Sequence, residues 1–506
     1  MSRLMEALTR RPGWLLAAVA LLAHLYASGG YDYFRDELYF IVCGERLDWG
    51  YVDQPPLIPL LAGMMHRLFP ESLVMLRLVP ALAHAATVAL AAETARLIGG
   101  GRWAEGMAGL ATLMAEVLLG IGTAVTTNAL DPLAWTACGY LLIRIVRTGD
   151  RRWWYAVGTV AGVALLAKYQ IAIWLMALGL GLLATPARRV LARPEPYLAA
   201  VLAGLIVLPN ILWQAAHAWP FFEIARNAAE TKNVALSPLA YLHAQVMMLN
   251  PGTAPLWLAG LLAFAVWRPF ADLRWVAAAF SVLIAAMLVL HGRDYYSAGA
   301  YPLLFAGGGV ALEAWIAWRA ARWSYTVAVV LLGLIALPFA LPILPIERFA
   351  RYQDALGIAP QSSEHRALGR LPLYYADMFG WRELTAAVGH VYASLSPEDR
   401  AKAVFLARNY GEAAAIDVFG ETMPLPPSVS GNNNYFLWGP GGHDGSVVIR
   451  LGGERDQLLK AYATVEAAGT VDNPWAMPDE RGLTLWLCRG RKVPFDQDWP
   501  SFKHYG

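Results

Sequence analysis

The sequence predicts a polytopic α-helical membrane protein, a bundle of about eleven transmembrane helices followed by a small soluble α/β domain. Three observations predict this class. Hydrophobic residues make up 57% of the 506 residues and charged residues only 15%, whereas a soluble domain carries about 25% charged residues. Long apolar runs recur up to residue 342. The remainder of the chain is polar and rich in Gly and Pro.

Eleven apolar segments are candidates for membrane-spanning helices, because a bilayer core about 30 Å thick is crossed by about 20 helical residues. They lie near 13–28, 74–95, 104–122, 131–146, 153–167, 170–185, 197–216, 254–267, 275–291, 301–317 and 324–342. We predict a turn at 168–170, since the apolar stretch 153–184 is too long for a single span.

The distribution of arginine predicts the orientation of these spans, because cytoplasmic loops carry an excess of Lys and Arg. With a cytoplasmic N-terminus, every predicted inner loop contains arginine. These residues are Arg96, Arg102, Arg144, Arg147, Arg151, Arg152, Arg188, Arg189, Arg193, Arg268, Arg274, Arg319 and Arg322. The predicted outer segment 123–130 has no Lys or Arg. We therefore expect a multi-pass protein of the cytoplasmic (inner) membrane whose C-terminal domain is periplasmic or extracellular.

Two domains follow from this pattern. Residues 1–345 form the predicted transmembrane bundle, with a long first outer loop at 29–72, and residues 346–506 form the extracytoplasmic soluble domain. In the latter, we predict strands at 403–406, 446–451 and 483–487, a small helix after residue 411 and a helix over 456–468. Such alternation favours an α/β domain.

Charge and cysteine content exclude some partners and sites. The net charge of +2 provides no basic field, so nucleic acid is not an expected partner. Cys43, Cys138 and Cys488 form neither a disulfide framework nor a zinc pattern, although a bond between Cys43 and Cys488 is left open. We predict no metal site and name no cofactor. Whether the protein uses a divalent cation is left open.

The predicted outer face concentrates residues that sugar transfer requires. The first outer loop contains Asp36 and Glu37 and closes on the segment Asp53-Gln54-Pro55-Pro56. Further along the chain, the outer face gains Asp131, Lys168 and Arg293, and the aromatic residues Tyr33, Tyr39, Tyr295 and Tyr296 lie beside these groups. A carboxylate can take the proton of an acceptor hydroxyl, a cation can hold a phosphate leaving group, and aromatic rings stack on sugars.

Each of these residues also has a purely structural interpretation. Asp36 and Glu37 are then solvated loop acids, and the tyrosines belong to an interfacial aromatic belt. Asp131 precedes Pro132 and would start a helix, while the Lys168 side chain would reach towards the membrane surface. Arg293 would pair with Asp294 or with lipid head groups.

An ordered series of motifs resembles bacterial membrane glycosyltransferases of the protein O-mannosyltransferase family (glycosyltransferase family 39), which are related to the lipid A aminoarabinose transferase. The motifs are Arg35-Asp36-Glu37-Leu38-Tyr39-Phe40, Asp48-Trp49-Gly50-Tyr51, Asp53-Gln54-Pro55-Pro56-Leu57, Asp131-Pro132-Leu133, Arg293-Asp294-Tyr295-Tyr296, Tyr301-Pro302, Asn409-Tyr410-Gly411-Glu412-Ala413, Ser430-Gly431-Asn432-Asn433-Asn434-Tyr435 and Trp438-Gly439-Pro440. The resemblance extends over nearly the whole chain.

The resemblance implies a GT-C-type fold and an inverting hexosyl- or pentosyltransferase that uses a polyprenyl-phosphate-linked sugar. It implies that Asp36 is the catalytic base, with Glu37 beside it, and that Asp131 helps to shape the site. Asp36 is expected to face a cleft near Asp131, without an ion pair to Arg35, because adjacent helical residues do not face each other. The acceptor, whether lipid, glycan or protein, is left open.

This chain departs from the family at one position. The aminoarabinose transferases have Glu-Lys-Pro-Pro where this chain has Asp53-Gln54-Pro55-Pro56, so a lysine expected to meet the donor phosphate is absent at Gln54. Lys168 and Arg293 are therefore the candidate phosphate ligands. Tyr33, Tyr39, Asp53, Gln54, Tyr295 and Tyr296 are the candidate substrate contacts.

Two other classes of function compete with a transferase. A transporter or flippase for a lipid-linked glycan would place ionisable residues or broken helices near mid-membrane, and many transporters contain an inverted repeat that this sequence does not show. A non-catalytic envelope assembly protein would use its outer domain, including 432–438, to bind partners.

Overall fold

The computed structural model describes residues 11–232, 236–360 and 367–506. The predicted cytoplasmic N-terminus, residues 1–10, lies outside this range. The described residues form two compact units. The first unit comprises 11–30, 74–213 and 236–345, and the second comprises 31–73, 214–232, 346–360 and 367–506. Most of the predicted first outer loop thus groups with the C-terminal residues.

Helices dominate the fold. In the first part of the chain they are α1 (Pro12–Ala27), α2 (Arg35–Glu45), α3 (Leu57–Leu68), α4 (Leu73–Leu76), α5 (Leu78–Leu97), α6 (Arg102–Leu113), α7 (Glu116–Ile121), α8 (Asp131–Thr148), α9 (Trp153–Leu165), α10 (Ile171–Leu183) and α11 (Glu195–Ala216). The next are α12 (Pro220–Asn227), α13 (Pro238–Met247), α14 (Ala254–Val266), α15 (Arg274–Val289), α16 (Tyr301–Trp315) and α17 (Arg319–Ala340). The last are α18 (Ile346–Ala355), α19 (Leu373–Ala376), α20 (Trp381–Ser394), α21 (Pro397–Lys402), α22 (Tyr410–Gly420), α23 (Asn433–Trp438), α24 (Arg455–Ala461) and α25 (Phe495–Asp498).

At least one helix occupies each of the eleven predicted membrane segments. By length and composition, four described helices qualify as spans, or up to six if each of two bent pairs is a single span. The four are Leu73–Leu97, Glu195–Ala216, Arg268–Val289 and Arg319–Ala340. The predicted class of membrane protein is confirmed, whereas the number of eleven spans stays a prediction. The predicted turn at 168–170 is confirmed, because α9 ends at Leu165 and α10 begins at Ile171.

The helix boundaries of the first unit follow from local sequence. Helix α8 begins at Asp131, with Pro132 in its first turn, and it ends at Thr148, where Gly149 is the C-cap residue. Proline suits the first turn because its missing N–H would have no helical partner there, and its fixed φ already matches the helix. Gly149 has φ of 69°, a left-handed conformation that glycine adopts without steric cost.

Helices α2 and α3 occupy most of the predicted first outer loop, and they pack in the second unit at a very short separation. A Cβ atom added to Gly44 would lie 2.3 Å from the carbonyl oxygen of Pro59 and 2.6 Å from the Cα atom of Gly63. No side chain fits at such distances, so the two glycines permit the two backbones to touch. This contact fixes the position of α2, which carries Asp36 at its start.

The second unit contains a five-stranded sheet in the order β2-β1-β3-β5-β4. The strands are β1 (Ala403–Ala407), β2 (Ser428–Ser430), β3 (Val447–Leu451), β4 (Tyr462–Val471) and β5 (Leu483–Arg491). Strand β1 pairs in parallel with β2 and β3, while β5 pairs antiparallel with β3 and β4. The three predicted strands and the α/β class are therefore confirmed.

The predicted helix over 456–468 is wrong after residue 461. Helix α24 ends at Ala461, and the chain continues directly into β4, which pairs with β5 along most of its length. Tyr462, Thr464 and Val465 are residues that favour strands, and Thr464 and Val465 face Arg489 and Cys488 across the ladder. Tertiary pairing thus overrides the helical spacing of the apolar residues. Cys43, Cys138 and Cys488 are buried free thiols, so the bond left open between Cys43 and Cys488 is not formed.

Candidate functional site

The start of α2 positions Asp36 through a cap made by its neighbour. Oε2 of the buried Glu37 accepts a hydrogen bond from the backbone N–H of Phe34 at 2.9 Å, and the Glu37 N–H donates to the Phe34 carbonyl at 2.9 Å. These are the contacts of a helix-capping residue, and they hold the first turn of α2 in place. Asp36 lies in the same turn with 27% of its side chain exposed.

Asp36 is bound on one side by residues of its own unit. The Tyr410 hydroxyl donates a hydrogen bond to Asp36 Oδ1 at 2.8 Å. Arg35 Nε lies 3.6 Å from the same oxygen, and the Arg35 guanidinium lies 5.3 Å from the centre of the Tyr410 ring. The expectation that Asp36 forms no ion pair with Arg35 is therefore wrong. Nη2 of Arg35 also lies 3.6 Å from Asp377 Oδ2.

A second carboxylate is held beside Asp36. The Tyr39 hydroxyl donates to Asp53 Oδ1 at 3.1 Å, and the Asn433 amide donates to Asp53 Oδ2 at 3.0 Å. The rings of Tyr39 and Tyr410 lie 4.6 Å apart. Burial raises the pKa of Asp53 to about 6, and the negative charge of Asp36 contributes to this shift. We call Asp36, Tyr39, Asp53, Tyr410 and Asn433 the Asp36 cluster.

Two further candidates in the second unit are buried. The Tyr33 ring packs edge-on against Phe419 with a centroid distance of 5.9 Å. The Gln54 Nε2 atom lies 3.9 Å from the Cys43 sulfur, and Gln54 Oε1 has no hydrogen-bond partner among the described residues. Gln54 therefore holds a buried polar acceptor at the position where the related transferases have lysine.

The remaining candidates come together in the first unit. The Lys168 ammonium donates to Asn128 Oδ1, lies 4.6 Å from the centre of the Tyr296 ring and acts electrostatically on Asp131. Asp131 is 8% exposed, and its Oδ1 atom has no hydrogen-bond partner in the described part of the chain. Lys168 thus lies against an aromatic ring, and its charge acts on a buried acid.

Arg293 joins this group through the two tyrosines that follow it. Its guanidinium donates to the Tyr295 hydroxyl at 3.3 Å, and the Tyr295 and Tyr296 rings meet edge-on at 4.9 Å. The Tyr296 carbonyl accepts a hydrogen bond from Gln170 at 2.9 Å, which ties the segment to the turn after α9. We call Asp131, Lys168, Arg293, Tyr295 and Tyr296 the Lys168 cluster.

Comparisons with known proteins test the family resemblance. Residues 53–213 match the family described as dolichyl-phosphate-mannose-protein mannosyltransferase. The lipid A galacturonosyltransferase RgtD of Rhizobium johnstonii is 26% identical over 190 residues, which are 37% of this chain. The matched part spans only 39% of that relative. The predicted resemblance is confirmed.

Solved structures define the fold of the chain. The crystal structure of ArnT from Cupriavidus metallidurans bound to undecaprenyl phosphate aligns with a TM-score of 0.60 and 14% identity, covering 94% of this chain and 97% of that chain. The apo form of that protein gives a TM-score of 0.57 at 15% identity, with the same coverage. The mycobacterial arabinofuranosyltransferase AftD gives 0.51 at 12% identity, covering 94% of this chain and 41% of that chain. At these identities the comparison establishes the GT-C-type fold, as the sequence predicts.

Sequence reasoning did not identify Tyr410 and Asn433 as site residues. Both lie in motifs that carry the family resemblance, but only the fold shows that their side chains reach Asp36 and Asp53. The glycine at position 411 was a sequence signal for a close contact between two backbone segments. A Cβ atom there would lie 2.5 Å from Cγ of Arg35, so the glycine permits the start of α22 to pack against the start of α2.

Each cluster has its own chemistry. In the Asp36 cluster, a partly exposed carboxylate is hydrogen-bonded on one oxygen, which suits a group that accepts a proton on the other. In the Lys168 cluster, two cations stand beside aromatic rings, an arrangement that suits phosphate and sugar.

Proposed function

We propose that the protein is an inverting membrane glycosyltransferase that moves a sugar from a polyprenyl-phosphate-linked donor to an acceptor at the outer face of the cytoplasmic membrane. The observation that carries the proposal is the hydrogen bond from Tyr410 to Asp36, which orients one carboxylate oxygen in a chain of GT-C-type fold. The similarity to a lipid A galacturonosyltransferase supports the reaction class.

In this mechanism Asp36 acts as the general base. It removes the proton of the acceptor hydroxyl as that oxygen attacks the anomeric carbon of the sugar. The bond between the anomeric carbon and the lipid-phosphate oxygen breaks on the opposite face, so the configuration inverts. Tyr410 holds Asp36 at the correct angle through Oδ1 and leaves Oδ2 for the acceptor. Glu37 has a capping role, and we assign it no proton transfer.

The leaving lipid phosphate carries negative charge and needs cations. Gln54 is neutral, so we assign this role to Lys168 and Arg293. A charge-assisted contact to phosphate stabilises the departing group as its charge develops. Asn128 holds the Lys168 ammonium by a hydrogen bond, and Asp131 helps to shape the site around it. Tyr33, Tyr39, Tyr295, Tyr296 and Asp53 are the proposed sugar and acceptor contacts.

Transfer of labelled sugar tests the proposal directly. Purified protein in nanodiscs would receive undecaprenyl phosphate linked to a radiolabelled hexose, pentose or galacturonic acid, with lipid A and a membrane extract as acceptors. We expect release of undecaprenyl phosphate and label in one acceptor. Asp36→Asn should abolish both signals, whereas Asp48→Asn should not.

The same preparation separates the rival functions. Movement of the intact donor between leaflets without sugar transfer would identify a flippase. If neither transfer nor movement occurs with any donor, a binding role in envelope assembly becomes the better explanation, and the proposal fails.

A further inference from the structure

Three side chains with metal-binding atoms meet at one end of the second unit. Glu45 is the last residue of α2, His66 lies in the last turn of α3, and Glu421 follows α22 directly. His66 Nε2 lies 3.1 Å from Glu421 Oε2. One ligand atom from each of the three residues lies within 4.8 Å of the others. None of these residues belongs to the Asp36 cluster.

The close contact between α2 and α3 brings two of these ligands together. Glu45 follows Gly44, and His66 lies one helical turn after Gly63, the glycine that Gly44 touches. His66 is only 8% exposed, while Glu45 and Glu421 are exposed. A buried imidazole is thus fixed by packing, with two carboxylates reaching it from the solvent side.

The electrostatics of this arrangement call for a positive partner. The ligand oxygens of Glu45 and Glu421 lie within 4.8 Å of each other, and Asp417 adds a third carboxylate nearby. Arg46 is the adjacent cation, but its guanidinium lies 4.0 Å from Asp417 Oδ2 and 4.5 Å from the centre of the Trp438 ring. Two crowded carboxylates are therefore only partly balanced by protein charge.

We infer that Glu45, His66 and Glu421 form a binding site for a divalent transition-metal ion, best matched by Zn²⁺. Imidazole and carboxylate together suit zinc, which takes a histidine nitrogen and carboxylate oxygens at about 2.0–2.2 Å. Tetrahedral ligands at such bond lengths are roughly 3.3–3.6 Å apart, so the side chains reach this geometry through a small rotamer change. Three protein ligands leave a fourth position for water.

The ion would act on the structure of the unit. Glu45 and Asp36 lie at opposite ends of α2, and Glu421 and Tyr410 lie at opposite ends of α22. A metal bound to Glu45 and Glu421 would join the far ends of the two helices whose first turns form the hydrogen bond between Tyr410 and Asp36. Glu45 lies about 14 Å from Asp36 along α2. At that distance the ion would not contact the atoms that react at Asp36, so its role would be structural.

Metal content and stability test this site without any measurement of activity. The full-length protein, purified in detergent with a histidine-free tag and no chelator, should contain about one zinc per chain by mass spectrometry. Removal of the metal with a chelator should lower Tm, and added ZnCl₂ should restore it, whereas MgCl₂ should not. Zinc affinity would be measured by competition with a chromophoric chelator.

Glu421→Gln is the decisive variant, because the residue is exposed and the substitution keeps its shape. It should weaken zinc binding at least about 100-fold, and Tm should no longer respond to the chelator. Glu398→Gln, at another exposed glutamate of the same unit, should behave as the wild type. Equal zinc affinity in wild type and Glu421→Gln, or an unchanged Tm of the wild type in chelator, would overturn the inference and leave only an adventitious ion.

Discussion

The Tyr410 hydroxyl donates a 2.8 Å hydrogen bond to Asp36 Oδ1, although the two residues are separated by 374 positions in the sequence. Each residue lies in the first turn of its helix, and Gly411 removes the side chain that would hold these helices apart. Burial raises the pKa of Tyr410 well above its usual value, so its hydroxyl stays protonated and acts as a donor at neutral pH. Asp36 is thereby oriented by a fixed partner.

Asp36→Asn should reduce sugar transfer at least about 100-fold, because the amide keeps the shape of the side chain but does not accept the proton of the acceptor. Tm and donor binding should change little. The measurement is the initial rate of transfer in nanodiscs at saturating donor. Asp48→Asn is the control, since Asp48 is exposed and its side chain contacts the Trp49 backbone. Near-normal turnover in folded Asp36→Asn protein would move the base to another residue.

Tyr410→Phe should lower the rate of transfer roughly 10- to 100-fold, since a hydrogen bond to a charged group contributes about 1.5–3 kcal/mol. The loss should appear in kcat, with the KM for donor little changed, because Tyr410 orients the base. Tyr462→Phe is the matched control: its hydroxyl is also hydrogen-bonded, to Arg491, in the sheet of the same unit. An equal effect of both substitutions would indicate general destabilisation.

The ionisation of Asp53 should make the stability of the second unit depend on pH. Its pKa is raised from 3.8 to about 6, so the charged form is less favourable in the folded protein than in the unfolded chain. This penalty is absent below about pH 4, grows between pH 4 and 6 and is complete above that range. The Tm of Asp53→Asn minus the Tm of the wild type should therefore increase as the pH rises from about 4 to 6. A constant difference from pH 4 to 8 would contradict the assignment.

Neutralisation of the proposed phosphate ligands should weaken donor binding. Lys168→Gln and Arg293→Gln should each lower the affinity for undecaprenyl phosphate roughly 10- to 100-fold, the value of one charge-assisted contact, with a smaller effect on the KM of the acceptor. Arg319→Gln is the control, because Arg319 is an exposed cation on the predicted inner side. Unchanged lipid affinity in both variants would show that the two cations serve another purpose.

The predicted orientation can be tested by reporter fusions. Alkaline phosphatase fused after Leu344 should be active, since this enzyme requires the oxidising space outside the cytoplasm. A fusion after Arg193 should be inactive, because that loop carries three of the arginines that predict the inner side. Activity after Arg193 together with inactivity after Leu344 would reverse the orientation and place Asp36 on the cytoplasmic side.

The sequence by itself determined the class of protein and located helices in its eleven apolar segments. A helix satisfies its backbone hydrogen bonds within one segment, so hydropathy and local signals such as Asp131-Pro132 are enough to locate it. The strands β1, β3 and β5 were also predictable, since their short apolar runs are bounded by turn residues. Motif order further predicted the family resemblance and Asp36 as a candidate base.

Only the tertiary structure decided which side chains meet. The contacts of Asp36 with Tyr410 and of Asp53 with Asn433 join residues that are more than 370 positions apart, and no local pattern encodes them. The same holds for the grouping of Glu45, His66 and Glu421, and for β4, where pairing with β5 prevailed over a helical pattern. These contacts depend on how closely two elements pack. That separation is set by small residues such as Gly44, Gly63 and Gly411, whose partners become known only in the folded chain.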